Sequence, residues 1–175
     1  GSRSGRVARR GQGLEAQLRQ LRHSTLLRTG DVAQALDARW LLSESGEPVA
    51  GVLHAAGVLR DKLLRSMQGD DASFVFGPKA LGAAHLHHTA AVACLSSMTL
   101  FSSIIATFGN IGQASYAAAN AYQDGLVLGR RVGGAVGASL QIPFVLGAGM
   151  GASTYDESHL VEIGGISLDR FAACL

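Results

Sequence analysis

The sequence predicts an α/β fold built as a doubly wound parallel sheet, on three observations. A continuous apolar run of strand length stands at 48–54, and further strand-length segments follow at 98–103 and 135–142. Such runs suit parallel strands covered on both faces, where alternation is lost. Segments with helical spacing separate them, as βαβ units require. The composition agrees: 47% hydrophobic residues, 16% charged residues and 23 glycines in 175 residues fit one well-cored domain and argue against disorder.

Each element has its own sequence reason. Leu14, Leu18 and Leu21 recur at helical spacing and predict a first amphipathic helix. Leu26-Leu27 with Asp31-Val32 read as a short strand ending in a loop, and QALDARWLL as a second helix. The run Pro48–His54 predicts a buried strand that empties into Ala55-Ala56-Gly57, where small residues permit close approach to the backbone. A long helical pattern spans about 70–93, with Pro78 at a kink or restart. Met98–Ser103 is the next strand and Ser115 to about Arg131 the next helix, stopped by Gly133-Gly134. Ala135–Ile142 is a further strand, closed by Pro143. GAGMGA at 147–152 follows the last strand and precedes a polar segment, so it reads as a loop rather than a dinucleotide fingerprint. The tail ISLDRFAACL reads as the first turns of a helix.

Composition also narrows the function. Cys94 and Cys174 fit neither a disulfide framework nor a metal spacing, so a reducing, cytoplasmic setting is expected. No apolar run approaches the length of a membrane span, and no signal pattern opens the chain. The net charge of +2 does not imply nucleic-acid binding. Arginines nevertheless crowd the first 28 residues, where they could meet phosphates or form a solvated helix face. His85, His87 and His88 read as a helix surface, since zinc would need further ligands at fixed geometry; no metal is expected.

The most informative stretch is LFSSIIATFGNIGQASYAAANAYQD, residues 100–124. Tyr116 and Asn120, at i and i+4, share one helix face. Ser103, thirteen residues before the tyrosine at the end of a strand, can be brought over it by the intervening loop. A phenol that delivers a proton and a hydroxyl that holds the receiving oxygen are what carbonyl reduction needs.

This stretch, preceded by GVLHAAGVLRDKLL and GPKALGAAHLH, closely resembles the ketoreductase domain of modular polyketide synthases, within the short-chain dehydrogenase/reductase superfamily. The resemblance implies a Rossmann-like sheet and an NADPH-dependent reduction of a β-ketoacyl chain held on an acyl carrier protein. It casts Tyr116 as proton donor and Ser103 as the hydroxyl on the carbonyl oxygen, with Ser102 as the neighbour to compare. Asn120 stands where most short-chain reductases carry lysine, and Lys79 supplies that lysine from the preceding long helix, as in the polyketide variant. Lys79 is expected to bind the nicotinamide ribose and to lower the tyrosine's pKa.

The remaining assignments follow the same resemblance. Arg3 is the candidate for the cofactor's 2′-phosphate, Asp31 and Val32 for its adenine. Ala55, Ala56 and Gly57 would form the turn that the dinucleotide passes, and Pro143 the nicotinamide contact. Asp61, the retained acid of an LDD-like Leu59-Arg60-Asp61, and Phe108, where the other stereochemical type carries tryptophan, favour a D-configured hydroxyl. The family's first strand, glycine-rich loop and first helix would precede Gly1. The chain is therefore expected to be a fragment: a ketoreductase domain without its first β-α-β unit over 1–157, then the start of a C-terminal helical segment over 158–175. Expected partners are the carrier protein's phosphopantetheine arm and neighbouring synthase domains. An inactive structural fragment and a free-standing short-chain ketone reductase are the alternatives.

Overall fold

The computed structural model describes residues 28–43, 48–151 and 155–174. The helix expected around Leu14–Leu21, Leu26-Leu27 and Arg3 lie outside them. Helix α1 (Ala35–Ser43) leads to strand β1 (Gly51–His54), then to helix α2 (Gly69–Phe76), a π turn (Gly77–Leu81) and helix α3 (Gly82–Thr89). Strand β2 (Ser97–Ser103), the short helix α4 (Ile105–Phe108), the long helix α5 (Ala114–Val132) and strand β3 (Ala138–Ile142) follow. Helices α6 (Glu157–Glu162) and α7 (Leu168–Ala172) close the described chain.

Among the described residues the sheet has three strands in the order β1-β2-β3, all parallel. Gly51 pairs with Ser97 and His54 with Leu100; Thr99 pairs with Ala138 and Ser103 with Ile142. Of the strand expected at 26–32, Leu26-Leu27 lie outside the described residues; Thr29 forms a β bridge and a turn follows at Val32-Ala33. The Asp31 carboxylate accepts from Ala33 N at 3.1 Å and the Asp31 carbonyl from Gln34 N at 2.8 Å, which starts α1 instead of pairing a ladder.

Strand parity splits β2 between two layers. Met98 and Leu100 join Ala38, Ala83, Leu86 and Val127 in the main core, so α1, α3 and α5 cover that face. Phe101 points the other way and meets Phe171 of α7 edge-to-face, with centroids 6.1 Å apart. A second cluster, Val75, Ile105 and Tyr116, joins α2, α4 and α5 beside the strand ends.

The long helix expected over 70–93 is interrupted rather than continuous. Pro78 has no N–H to give the preceding turn, and the backbone widens into a π turn whose Gly77, Pro78, Lys79 and Ala80 are all buried. A capping box fixes the start of α2, with Gln68 and Asp71 satisfying each other's backbone N–H. Asp71 also takes Lys62 Nζ at 2.8 Å and Arg60 at 3.6 Å, and Lys62 holds its carboxyl below the usual carboxylate range. At the other end of α5, Gly134 turns left-handed at φ 77° and Ala135 N returns to Arg130 O at 2.9 Å.

Candidate active site

The carboxyl ends of β2 and β3 open into a cavity of about 360 Å³ lined by Gly57, Lys79, Ser102, Ser103, Tyr116 and Pro143, among others. Crevices at this edge are where parallel α/β sheets bind ligands. Its far wall comes from the C-terminal part, through Tyr155, Leu168 and Phe171.

Parity separates the two serines. Ser102 shares the face of Leu100 and donates to the backbone carbonyl of Asn120 at 3.3 Å, which ties β2 to α5. Ser103 lies on the opposite face, donates to Ile142 O at 3.3 Å and accepts from Ile105 N at 3.3 Å. Both bonds are long, so the hydroxyl can be drawn to a better acceptor. Burial raises the pKa of the Tyr116 phenol, while the nearby Asn120 and Ser103 side chains pull it back down.

Lys79 enters from the π turn and is 3% exposed. Its ammonium donates to Phe101 O at 2.6 Å and to Gln123 Oε1 at 3.4 Å. It also lies 5.3 Å from the centroid of the Tyr116 ring, within cation–π range. Burial lowers its pKa from 10.5 to about 8, with Asp124 opposing part of the shift. The net shift of Tyr116 is upward, against the expected depression, because burial outweighs the groups that favour the phenolate. Tyr116 is raised by its own burial, and the ammonium engages a carbonyl and the face of the ring.

Asn120 does not line the cavity; it is fully buried beneath Tyr116 and donates through Nδ2 to the tyrosine's carbonyl at 2.8 Å. Its Oδ1 is buried without a partner, as is Ser115 Oγ. An unpartnered carbonyl oxygen one turn from the phenol is a place where a water could dock. Gly57 completes the floor: a Cβ there would stand 3.1 Å from Lys79 Cε. The bare backbone lets the lysine reach past it.

The other expected residues divide. Ala55, Gly57, Lys79 and Pro143 line the cavity; Ala56 does not. Asp31 and Val32 stand apart from it. Val32 packs on the bare face of Gly82, where a Cβ would come within 2.8 Å of Val32 Cγ2, and the Val32 carbonyl meets His85 Nδ1 at 3.1 Å. Asp61 reaches the site through Gln113, whose Nε2 donates to Asp61 Oδ2 at 2.8 Å. Phe108 is 80% exposed and forms no part of the lining.

Sequence reasoning missed Gln113, Gln123, His54, Tyr155 and Phe171. Gln113 receives Asn110 Nδ2 at 3.1 Å, and the same amide reaches Tyr155 OH at 3.0 Å, so a polar chain runs from Asp61 to the C-terminal segment. Gln123 had a usable signal: with Tyr116 and Asn120 it forms an i, i+4, i+7 stripe on α5.

Comparison with known proteins agrees with this arrangement. The chain is 49% identical over 92 residues to polyketide synthase GfsA of Streptomyces halstedii, covering 53% of this chain and 1% of that protein. It is 38% identical over 135 residues to the spectinabilin polyketide synthase system protein NorB of Streptomyces orinoci, covering 76% of this chain and 6% of that protein. The chain thus spans a small part of the curated relatives it matches. Among solved structures it superposes on PlmKR1, the ketoreductase from the first module of phoslactomycin biosynthesis in Streptomyces sp. HK803. That match has a TM-score of 0.81 and 29% identity, covering 93% of this chain and 39% of that one. An A-type ketoreductase from a modular polyketide synthase gives a TM-score of 0.81 and 30% identity over 93% of this chain and 36% of that one. The fold is accordingly the Rossmann-like parallel sheet of these ketoreductases. Residues 1–147 match the profile of the KR domain, and the chain belongs to that family, whose members are oxidoreductases of the short-chain dehydrogenase/reductase type.

Proposed function

We propose that this chain carries the reduction half-site of an NADPH-dependent β-ketoacyl reductase, acting on an acyl chain tethered to a carrier protein within a polyketide synthase. The observation that carries the reading is the convergence of Ser103, Tyr116 and Lys79, from β2, α5 and the π turn, on one cavity at the strand ends. The lining suits a nicotinamide nucleotide: the Lys79 ammonium and the Ser103 hydroxyl offer donors in a cavity that Ala55 and Gly57 line without bulk. Ala55, Gly57, Lys79 and Pro143 would hold it. When bound, NADPH supplies the hydride.

The chain's own residues then act on the oxygen. Ser103 Oγ exchanges its long bond to Ile142 O for the substrate carbonyl and holds it against the phenol. Tyr116, kept protonated by burial, gives its proton to the developing alkoxide. Lys79 places a positive charge against the ring face and favours the phenolate that remains. The apolar walls at Leu59, Phe144 and Met150 shield the acyl chain from solvent.

The test is NADPH oxidation with a β-ketoacyl thioester by the native polypeptide that carries this chain. Tyr116→Phe should lower kcat/KM by about 100-fold or more, the scale of a lost general acid, while NADPH binding persists. Turnover preserved in Tyr116→Phe, or no oxidation with any β-ketoacyl thioester, would overturn the reading.

A further inference from the structure

The buried lysine is gripped at both ends by one side chain. Gln123 is fully buried on α5, and its carboxamide faces Lys79 across the helix–turn contact. Its Oε1 accepts from the ammonium at 3.4 Å, and its Nε2 donates to the Lys79 carbonyl at 3.3 Å. That carbonyl sits inside the π turn, and His54 Nε2 reaches it at 3.2 Å from β1. A carbonyl only accepts, so both side chains donate to it, and the His54 proton lies on Nε2.

We infer that Gln123 is a positioning residue for Lys79, fixing the π-turn backbone through one amide group and aiming the ammonium at the Tyr116 face through the other. The inference rests on the reading of Lys79 as part of the reduction site. A carboxamide is suited to the task because it presents a donor and an acceptor on one rigid plane without adding charge. An apolar side chain would leave the ammonium with Phe101 O alone among the acceptors described here, and a buried cation short of acceptors gives up its proton.

The groups facing Lys79 are few. His54 approaches from β1 and is held neutral, its pKa lowered chiefly by burial. Asp124 and Tyr116 approach from α5; Asp124 raises the lysine's pKa against the dominant effect of burial. Gln123 can be changed without touching the proposed proton donor or its hydroxyl partner.

The test pairs Gln123→Leu with Gln123→Glu in the native polypeptide that carries this chain. The Lys79 Cε resonance is followed against pH and identified by its loss in Lys79→Arg. Leu should move the lysine's ionisation down by about one pH unit, a tenfold change in its constant. Glu, which sets a carboxylate against the ammonium, should move it up by about one unit or more. The alkaline limb of the kcat profile should follow both shifts, with kcat at pH 8 reduced about fivefold in the Leu variant and KM for the acyl thioester within about twofold. A Lys79 titration and an alkaline limb unmoved in both variants would overturn the inference, and Glu alone decides it if Leu does not fold. Absence of NADPH oxidation in the unaltered protein would instead sink the reductase reading, with the Cε titration still judging the grip of Gln123.

Discussion

An ammonium at 3% exposure is an expensive group to bury, and its lowered pKa measures the expense. A fall from 10.5 to about 8 corresponds to roughly 3 kcal/mol lost from stability while Lys79 stays charged. The sign follows from proton counting. Between about pH 8 and 10.5 the folded chain has released this proton and the unfolded chain still holds it. The unfolded state binds more protons there, so the contribution of Lys79 to stability improves as pH rises through that window. Lys79→Met should therefore be more stable than the unaltered protein at pH 7, by about 1–3 kcal/mol in urea unfolding, with the gap closing towards pH 10.5. A gap that stays constant with pH would show that the lysine titrates in the folded state as it does in the unfolded one.

At the scale of elements, the joints matter more than the helices and strands they connect. Strand β2 was legible because its run from Met98 to Ser103 is apolar on both faces, and α5 because Tyr116 and Asn120 mark one face and glycines mark its end. The π turn was not legible: Pro78 announces a break, but a kink, a restart and a widened turn all begin with the same missing N–H. Gln123 carried one signal, its place on the stripe of Tyr116 and Asn120. One glutamine on a helix reads as surface until the neighbour that covers it is known. Asp31-Val32 lie in the turn that starts α1, just after the bridge at Thr29. The joint between that turn and α3 is testable at Gly82. A Cβ there meets Val32 Cγ2 at 2.8 Å and His54 Cε1 at 3.2 Å, and neither neighbour can retreat freely, because His54 holds the Lys79 carbonyl and Val32 O meets His85. Gly82→Ala gains helix propensity worth about 1 kcal/mol but should lose about 1–3 kcal/mol to overpacking, so the melting temperature falls. A higher melting temperature would mean that the α1–α3 joint is looser than its contacts indicate.

At the scale of the molecule, the cavity is assembled from two bodies of very different security. One wall is the parallel ladder of β2 and β3, backed by a buried core. The opposite wall takes Tyr155 and α7 from a C-terminal segment that is joined to the rest through the isolated parallel bridge between Val145 and Ile166, with Ile166 N on Phe144 O at 2.8 Å and Leu146 N on Ile166 O at 2.9 Å. Helices of five and six residues cannot hold themselves together in water, so packing must supply what propensity does not. Leu160, 1% exposed, secures α6, and Phe171 against Phe101 secures α7. No sequence pattern could have placed these residues on the site, because their neighbours lie tens of positions earlier in the chain. The expected consequence is a graded stability in which the C-terminal wall opens before the strand wall. Phe171→Ala should speed hydrogen exchange at the Leu146 and Ile166 amides by about tenfold or more while leaving the β2–β3 amides unchanged. The same variant should raise KM for the acyl thioester more than it lowers kcat, since Ser103, Tyr116 and Lys79 stand on the other wall. Exchange that rises equally across both walls would mean that the cavity opens only by global unfolding, and the C-terminal segment would then be part of the core rather than a cover laid upon it.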